Sequence, residues 1–373
     1  MNRRQITSWQ MQAILMMFLM GSSYVIGDVS KTKQDTWITF ILGAIFEIPM
    51  IFIYCAILQK YPDKNFFEIT EILLGKTAGK IICGLYAWYA VHLCSMVART
   101  FTEFIHILNM PETPIIAILI SMLLISIWGV KSGPENMGRI AKFTFPILST
   151  FVIFTFLIGI KDMDFKVLTP MFSTDLKTIL AGSYTTFATP YSELIVCLPL
   201  FFYLKPQSNP KKIYLNGLAL SVAVLLIAFL RNILILGLSN MQRYYYTSYL
   251  AVSVISIGEF FTRIEVLIGI SVILAGFTKM CVLLFTASAG IAKICNIKDY
   301  RSFAAPCGLV AIILAVINYA NVPDMFKWLE YHQFYTIPFH VILPVIIWIA
   351  AVIKTRKKKD NNLSSSENAG SID

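Results

Sequence analysis

Hydrophobic residues in this chain fall in long, nearly unbroken runs, not in the three- and four-residue spacing of a surface helix. The first covers positions 9–20, and others follow at 36–58, 78–107, 113–130, 140–160, 180–204, 212–239, 266–293, 303–320 and 334–353. Most are close to the ~20 residues that a helix needs to cross a bilayer, so the pattern predicts ten spans. Polar and charged residues collect in the connections. Between 239 and 263 the connection is longer and amphipathic, with Tyr244, Tyr245 and Tyr246 together, which predicts a helix lying along the membrane surface.

Two runs are interrupted. In the sixth, Thr189-Pro190-Tyr191-Ser192-Glu193 stands at the centre of an otherwise apolar stretch. Pro190 removes a backbone donor and disfavours helical geometry at Thr189, which frees carbonyls near Thr186 and Phe187. Lipid cannot satisfy them, so the interruption faces protein or a water-filled cavity, where an intramembrane carboxylate such as Glu193 also belongs. The competing reading is a proline-kinked helix whose Glu pairs with a neighbour. In the first run, Gly21-Ser22-Ser23-Tyr24-Val25-Ile26-Gly27 makes a similar break, with Asp28 directly after it. Two discontinuous helices, each opening one half of a chain, are the signature of a transporter built from two repeats with its site between the breaks.

Ten spans split into five and five put these breaks in spans one and six. An odd number of spans per repeat forces the halves into opposite orientations. The predicted fold is therefore an all-α membrane protein with a 5+5 inverted repeat. Its single transmembrane domain covers 1–353, with repeat one at about 8–160 and repeat two at about 180–353. A basic and then Ser/Asn-rich tail at 354–373 reads as unstructured. With both ends in the cytoplasm, 20 Lys and Arg fall in cytoplasmic segments and 8 outside, and Arg99, Arg231 and Lys279 lie within spans.

Composition agrees and narrows the function classes. The chain of 373 residues is 57% hydrophobic and 14% charged, with mean hydropathy +0.69, too apolar for a soluble protein. Its net charge of +10 sits in short loops, where it orients the protein in lipid, and implies no nucleic-acid partner. The N-terminal Asn2-Arg3-Arg4 resembles the start of a signal peptide, but the apolar run after it lacks a small-residue cleavage site and reads as a first helix. Seven cysteines show no paired metal or redox spacing, and the four histidines are scattered, so each reads as a packed residue. No cofactor is implied, and the spans lack HExxH, GxSxG or paired-Asp arrangements, which argues against an intramembrane enzyme.

Several short motifs carry a family resemblance: Gln34-Asp35-Thr36-Trp37, Lys60-Tyr61-Pro62-Asp63-Lys64-Asn65, Pro190-Tyr191-Ser192-Glu193, Gly258-Glu259-Phe260-Phe261-Thr262-Arg263, Gly276-Phe277-Thr278-Lys279 and Lys298-Asp299-Tyr300-Arg301. In this order and on these spans the chain closely resembles the B subunit of GerA-type spore germinant receptors, over nearly its whole length. The resemblance implies membership of the amino acid/polyamine/organocation superfamily. It implies a place in the inner membrane of the endospore, and sensing of a small nutrient together with A and C subunits. The sequence departs from that pattern at Ser192, where Gly is frequent, in lacking a proline in the first break, and in a short connection from Gly21 to Gln34. These departures bear on pocket shape.

Within that frame the candidate ligand residues can be named. Amides of Gly21, Ser22 and Ser23 suit a carboxylate, although small residues also permit close helix packing. Carbonyls at Phe187 and Thr189 suit an ammonium or polar group, with Tyr184 and Tyr191 shaping the pocket and Glu193 just past the break. Spans three and eight flank the breaks in this fold, which adds Tyr89 and Leu93 at i, i+4, and Thr278, Cys281 and Phe285 at i, i+3, i+7; such stripes also arise from plain packing. Lys279 is a mid-span ammonium. In related transporters a sodium ion joins spans one and eight, so Lys279 reads as a fixed cation substitute, or as an ion pair with Glu47, Glu103 or Glu193. Arg99 and Glu103, at i, i+4, form an intrahelical pair. Two functions remain: a nutrient receptor subunit, or a proton-coupled amino acid permease.

Overall fold

A computed structural model describes residues 5–23, 31–255 and 265–369. The side chains of Ser22, Ser23 and 357–369 lie outside the described part, as do Tyr24-Val25-Ile26-Gly27 with Asp28 and the motif Gly258-Glu259-Phe260-Phe261-Thr262-Arg263. Among the described residues the regular elements are helices. They are α1 (Ser8–Ser23), α2 (Thr36–Lys60), α3 (Phe66–Leu74), α4 (Lys76–Leu108), α5 (Ile115–Ser132), α6 (Pro134–Gly159), α7 (Leu176–Ala188), α8 (Pro210–Arg243), α9 (Thr247–Val254), α10 (Glu265–Ile294), α11 (Ala304–Ile317), α12 (Val322–Tyr335) and α13 (Leu343–Ala369). A 3₁₀ helix, Tyr191–Tyr203, continues the span begun by α7, and a π turn, Pro338–Ile342, joins α12 to α13.

Nine described segments are long and apolar enough to cross a membrane, and they fall on the predicted spans two to ten. α1 supplies the remaining one. It is apolar all round because it is enclosed all round: every residue from Ala13 to Met20 is fully buried among α6, α8 and α10. The outer rank is different. Trp128 of α5, Phe143 of α6 and Ile317 of α11 are largely exposed, as lipid-facing positions are. At the heart of the bundle α10 lies along α4.

The boundaries differ from expectation at three places. α1 runs unbroken through Gly21 to Ser23, where the break was expected to open. Gly21 serves helix packing there: a Cβ would sit 3.0 Å from Lys279 Cβ and 3.1 Å from the Ala275 carbonyl. The last span starts earlier, with α12 leading through the π turn into α13. The backbone of the basic tail continues α13 helically to Ala369, where composition suggests an unstructured segment; Lys and Arg are good helix formers over 354–359, and the Ser/Asn-rich residues after them have no such propensity. The helix expected between 239 and 263 is α9, but Tyr246 before it is buried edge-on against Phe104 and Tyr245 stacks on Phe326, so these two tyrosines pack against the protein.

Two contacts outside the core set its frame. Asp35 accepts hydrogen bonds from the amides of Phe172 (2.8 Å) and Thr174 (2.9 Å), and Gln34 Nε2 donates to Pro170 O (3.1 Å), so the Gln34-Asp35 motif folds the loop before α7. At the other end of the bundle Ile6 bridges the end of the 3₁₀ helix: its amide donates to Tyr203 O (2.8 Å) and its carbonyl accepts from Lys205 N (3.1 Å).

Candidate functional site

The interruption of the sixth span is where polar groups converge. Asp175 caps the start of α7, its carboxylate accepting from Thr178 N at 3.0 Å, and the helix ends at Ala188. Bonding to Thr178 holds that carboxyl below its ordinary range. Thr189 is extended (φ −147°, ψ 115°), Pro190 follows, and the chain resumes as a 3₁₀ helix of 13 residues. Such helices seldom exceed a few residues. Here Pro190 and Pro199 remove two donors, and neighbouring side chains meet spare carbonyls: Ser192 Oγ donates to Ala188 O (3.2 Å), Tyr214 Oη to Leu194 O (3.4 Å) and Thr286 Oγ1 to Val196 O (2.6 Å). The unwound backbone thus faces protein, as its depth requires.

Glu193 and Lys279 form an ion pair in the bundle interior, both fully buried. The ammonium also lies over the ring of Phe18, 4.6 Å from its centroid, so one side chain from α10 touches α1 and reaches the broken span. This selects Glu193 from the three acids proposed as partners. Glu103 is taken by Arg99 (2.7 Å) as the spacing suggests. Glu47 is fully buried on α2, with neither oxygen hydrogen-bonded among the described residues.

Two histidines complete the site, and nothing in their local sequence marks them. His340 lies in the π turn and is buried; its Nδ1 is 2.6 Å from Ser192 Oγ and its Nε2 2.6 Å from Tyr89 Oη. The turn leaves carbonyls without helical partners, and tyrosines meet them: Tyr86 Oη donates to Phe339 O (2.9 Å) and Tyr54 Oη to His340 O (3.3 Å). On the preceding α12, His332 Nδ1 is 3.1 Å from Thr189 Oγ1. Short π segments recur at functional sites, but no spacing rule finds them in a sequence.

The predicted residues therefore divide. Thr189, Tyr191, Glu193, Tyr89 and Lys279 gather at or beside the break, and Leu93 lines a cleft that also contains Thr189 and Glu193. Phe187 is buried at the end of α7, 6.2 Å from the ring of Tyr184, and its amide packs where Gly43 of α2 comes close. Gly21 packs on Lys279, and the side chains of Ser22 and Ser23 are outside the described part. The stripe Thr278, Cys281 and Phe285 is not brought to the break. Cys281 donates to Ser126 O of α5 (3.6 Å), Phe285 packs between Tyr203 and Tyr300, and the hydroxyl of Thr278 returns to Leu274 O (3.1 Å). The face of α10 that meets α1 and the broken span is Ala275, Lys279 and Thr286.

The family model described as "Spore germination protein" matches residues 5–322. The chain belongs to that family. Among curated spore germination proteins it is 24% identical to Spore germination protein KB of Bacillus subtilis (strain 168), over 96% of this chain and 98% of that one. To the putative spore germination protein YfkT of the same strain it is 25% identical, over 88% and 89%. Among solved structures it is similar to Mhp1, a nucleobase-cation-symport-1 family transporter in a closed conformation with bromovinylhydantoin bound, with a TM-score of 0.68 at 11% identity, covering 93% of this chain and 78% of that one. A Na+-coupled sialic acid symporter in a substrate-bound outward-open state gives 0.64 at 10%, covering 94% and 89%. The fold of this chain is thus the inverted-repeat transporter fold.

Proposed function

We propose that this protein is the membrane subunit of a spore nutrient receptor, which binds a small nutrient at the broken sixth span and triggers germination with partner A and C subunits. The observation that carries the reading is the gathering of buried Ser192, Glu193, Lys279, His332 and His340 around half-buried Thr189, an expensive set of polar groups at membrane depth. Membership of the germination family supplies the physiological setting. In this reading the protein lies in the inner membrane of the endospore, with both termini in the cytoplasm. Lys279 stands in for a bound cation, tying α1 and α10 to the broken span.

A proton-coupled amino acid permease is the second reading, favoured by the transporter fold. Two measurements separate them. Spores lacking only this gene are expected to lose germination in response to particular nutrients and to keep it for others. Proteoliposomes containing this chain alone are expected to accumulate none of those nutrients, and robust accumulation overturns the receptor reading.

A further inference from the structure

Glu47 of α2 is fully buried, and neither carboxyl oxygen meets a donor among the described residues. Other buried acids are served: Lys279 holds Glu193, Arg99 holds Glu103, and loop amides hold Asp35. A buried carboxyl with no partner is far costlier as an ion than as the neutral acid. Its position is as telling as its isolation. One turn before it, a Cβ on Gly43 would sit 3.0 Å from the Phe187 amide nitrogen, so this face of α2 lies against the end of α7, where the sixth span breaks. Two turns after it on the same face stands Tyr54, fully buried, with its ring centroid 6.1 Å from that of Tyr214 on α8. Both phenols are close enough to interact with a charge on Glu47.

These two tyrosines brace the two irregular segments of the bundle. Tyr54 Oη donates to His340 O in the π turn (3.3 Å), and Tyr214 Oη donates to Leu194 O in the 3₁₀ helix (3.4 Å). We propose that Glu47 is a proton-binding site, filled while the break and the π turn are packed together and emptied when they part. Emptying breaks the carboxylic O–H bond and passes the proton to water entering the opened seam, and the bonding electrons stay on the carboxylate. That carboxylate is a stronger acceptor than a carbonyl, and the bonds from both hydroxyls are long, so it draws them off His340 O and Leu194 O. One carbonyl on each irregular segment is then released. Cations on the surrounding helices do not offset the charge: Lys211 of α8 lies over Phe52, Arg231 of α8 bonds Thr155 and Asn232, and Lys354 of α13 donates to Ile72 O. Other titratable groups nearby are Cys55 and Cys197 beside Tyr214, Tyr86 bonded to Phe339 O, Tyr184 of α7 bonded to Gln333 O, and His340, held by Ser192 and Tyr89. The packed state holds one more proton than the opened state, so raising the pH favours opening.

The test uses the full-length chain in lipid nanodiscs. Infrared spectra at neutral pH are expected to show a carboxylic-acid C=O band that shifts when glutamate is labelled with carbon-13 and is missing from Glu47→Gln. Glu47→Leu serves the same subtraction if the amide packs poorly, and its thermal stability is expected to be unchanged or raised, because the carboxyl it removes has no partner among the described residues. A wild-type spectrum in which neither variant removes such a band shows an ionised Glu47 and overturns the assignment. Amide hydrogen exchange, corrected for its intrinsic pH dependence, reads the second half of the proposal. Opening of Tyr191–Tyr203 and of Pro338–Ile342 is expected to rise with pH by up to roughly tenfold per unit, the slope of one proton, and to be flat in both Glu47 variants. Tyr54→Phe is expected to abolish the slope at Pro338–Ile342 and to keep it at Tyr191–Tyr203. A flat wild type, or a slope that survives both Glu47 variants, overturns the proposal. No nutrient enters either measurement, so the outcome is independent of the receptor reading.

Discussion

The imidazole of His340 and the hydroxyl of Tyr89 are hydrogen-bonded at 2.6 Å across the interior of the bundle. Because the other ring nitrogen is 2.6 Å from Ser192 Oγ, a single side chain of the π turn links α4 to the first turn of the 3₁₀ helix. Replacing His340 with Phe keeps a planar ring and leaves both hydroxyls short of a partner. The expected cost is about 2–4 kcal/mol, seen as a lower unfolding midpoint of the purified protein, with loss of the nutrient response. Tyr89→Phe removes one bond only and is expected to cost about 1 kcal/mol.

Lys279→Met strands Glu193 as an unpaired buried charge, so the protein is expected to be destabilised by about 3–5 kcal/mol and to accumulate poorly in the membrane. Adding Glu193→Gln removes the stranded charge and is expected to restore accumulation. If the response returns with it, Lys279 is an ordinary ion pair. If the protein returns and the response does not, the cation itself is required.

Gly21 makes a different kind of claim. With a Cβ placed 3.0 Å from Lys279 Cβ and 3.1 Å from the Ala275 carbonyl, Gly21→Ala is expected to cost about 1–3 kcal/mol by overpacking. Gly21→Leu is expected to remove the protein from the membrane, measured by immunoblot. Normal amounts of a Gly21→Leu protein that has lost only its response would move this residue from packing to binding.

Asp35→Asn tests the Gln34-Asp35 motif. The carboxylate receives two amides of the loop before α7, and the carboxamide cannot receive both with equal strength. A loss of about 1–3 kcal/mol confined to that loop is expected. It would appear as faster proteolysis between 163 and 175, with the bundle intact.

Topology is open to a direct check. With both termini cytoplasmic, a cysteine in place of exposed Gln207 is expected to be shielded from impermeant thiol reagents added outside, and one in place of exposed Gln242 to react. The reverse pattern overturns the orientation.

Much of this was legible in the sequence because the membrane enforces it. A run of apolar residues has few alternatives to a span, and Pro190 with Glu193 in such a run has few alternatives to a protein-facing break. Lys279 was visible for the same reason. What could not be read was which neighbour each helix face meets. Thr278, Cys281 and Phe285 do share a face of α10, as their spacing says, but Cys281 on it meets α5, while Lys279, one residue from Thr278, meets the site. His332 and His340 were hidden because the π turn between α12 and α13 sets their direction, and the pairing of the last span with the break is a long-range contact.

The bridge at Ile6 has a mechanical consequence. It joins the entry to the first span with the exit of the sixth through main-chain hydrogen bonds of 2.8 and 3.1 Å, so its strength does not depend on which side chains are present. Swinging α1 away from the broken span requires unzipping that seam as well as parting Lys279 from its contacts on both helices. α1 and the broken sixth span are therefore fastened to each other at two levels, by main chain at Ile6 and by the Lys279 side chain deeper in the bundle. The 3₁₀ helix runs from the break at Thr189 to this seam, beside which Gln5, Thr7 and Ser8 share a surface with residues 205–208.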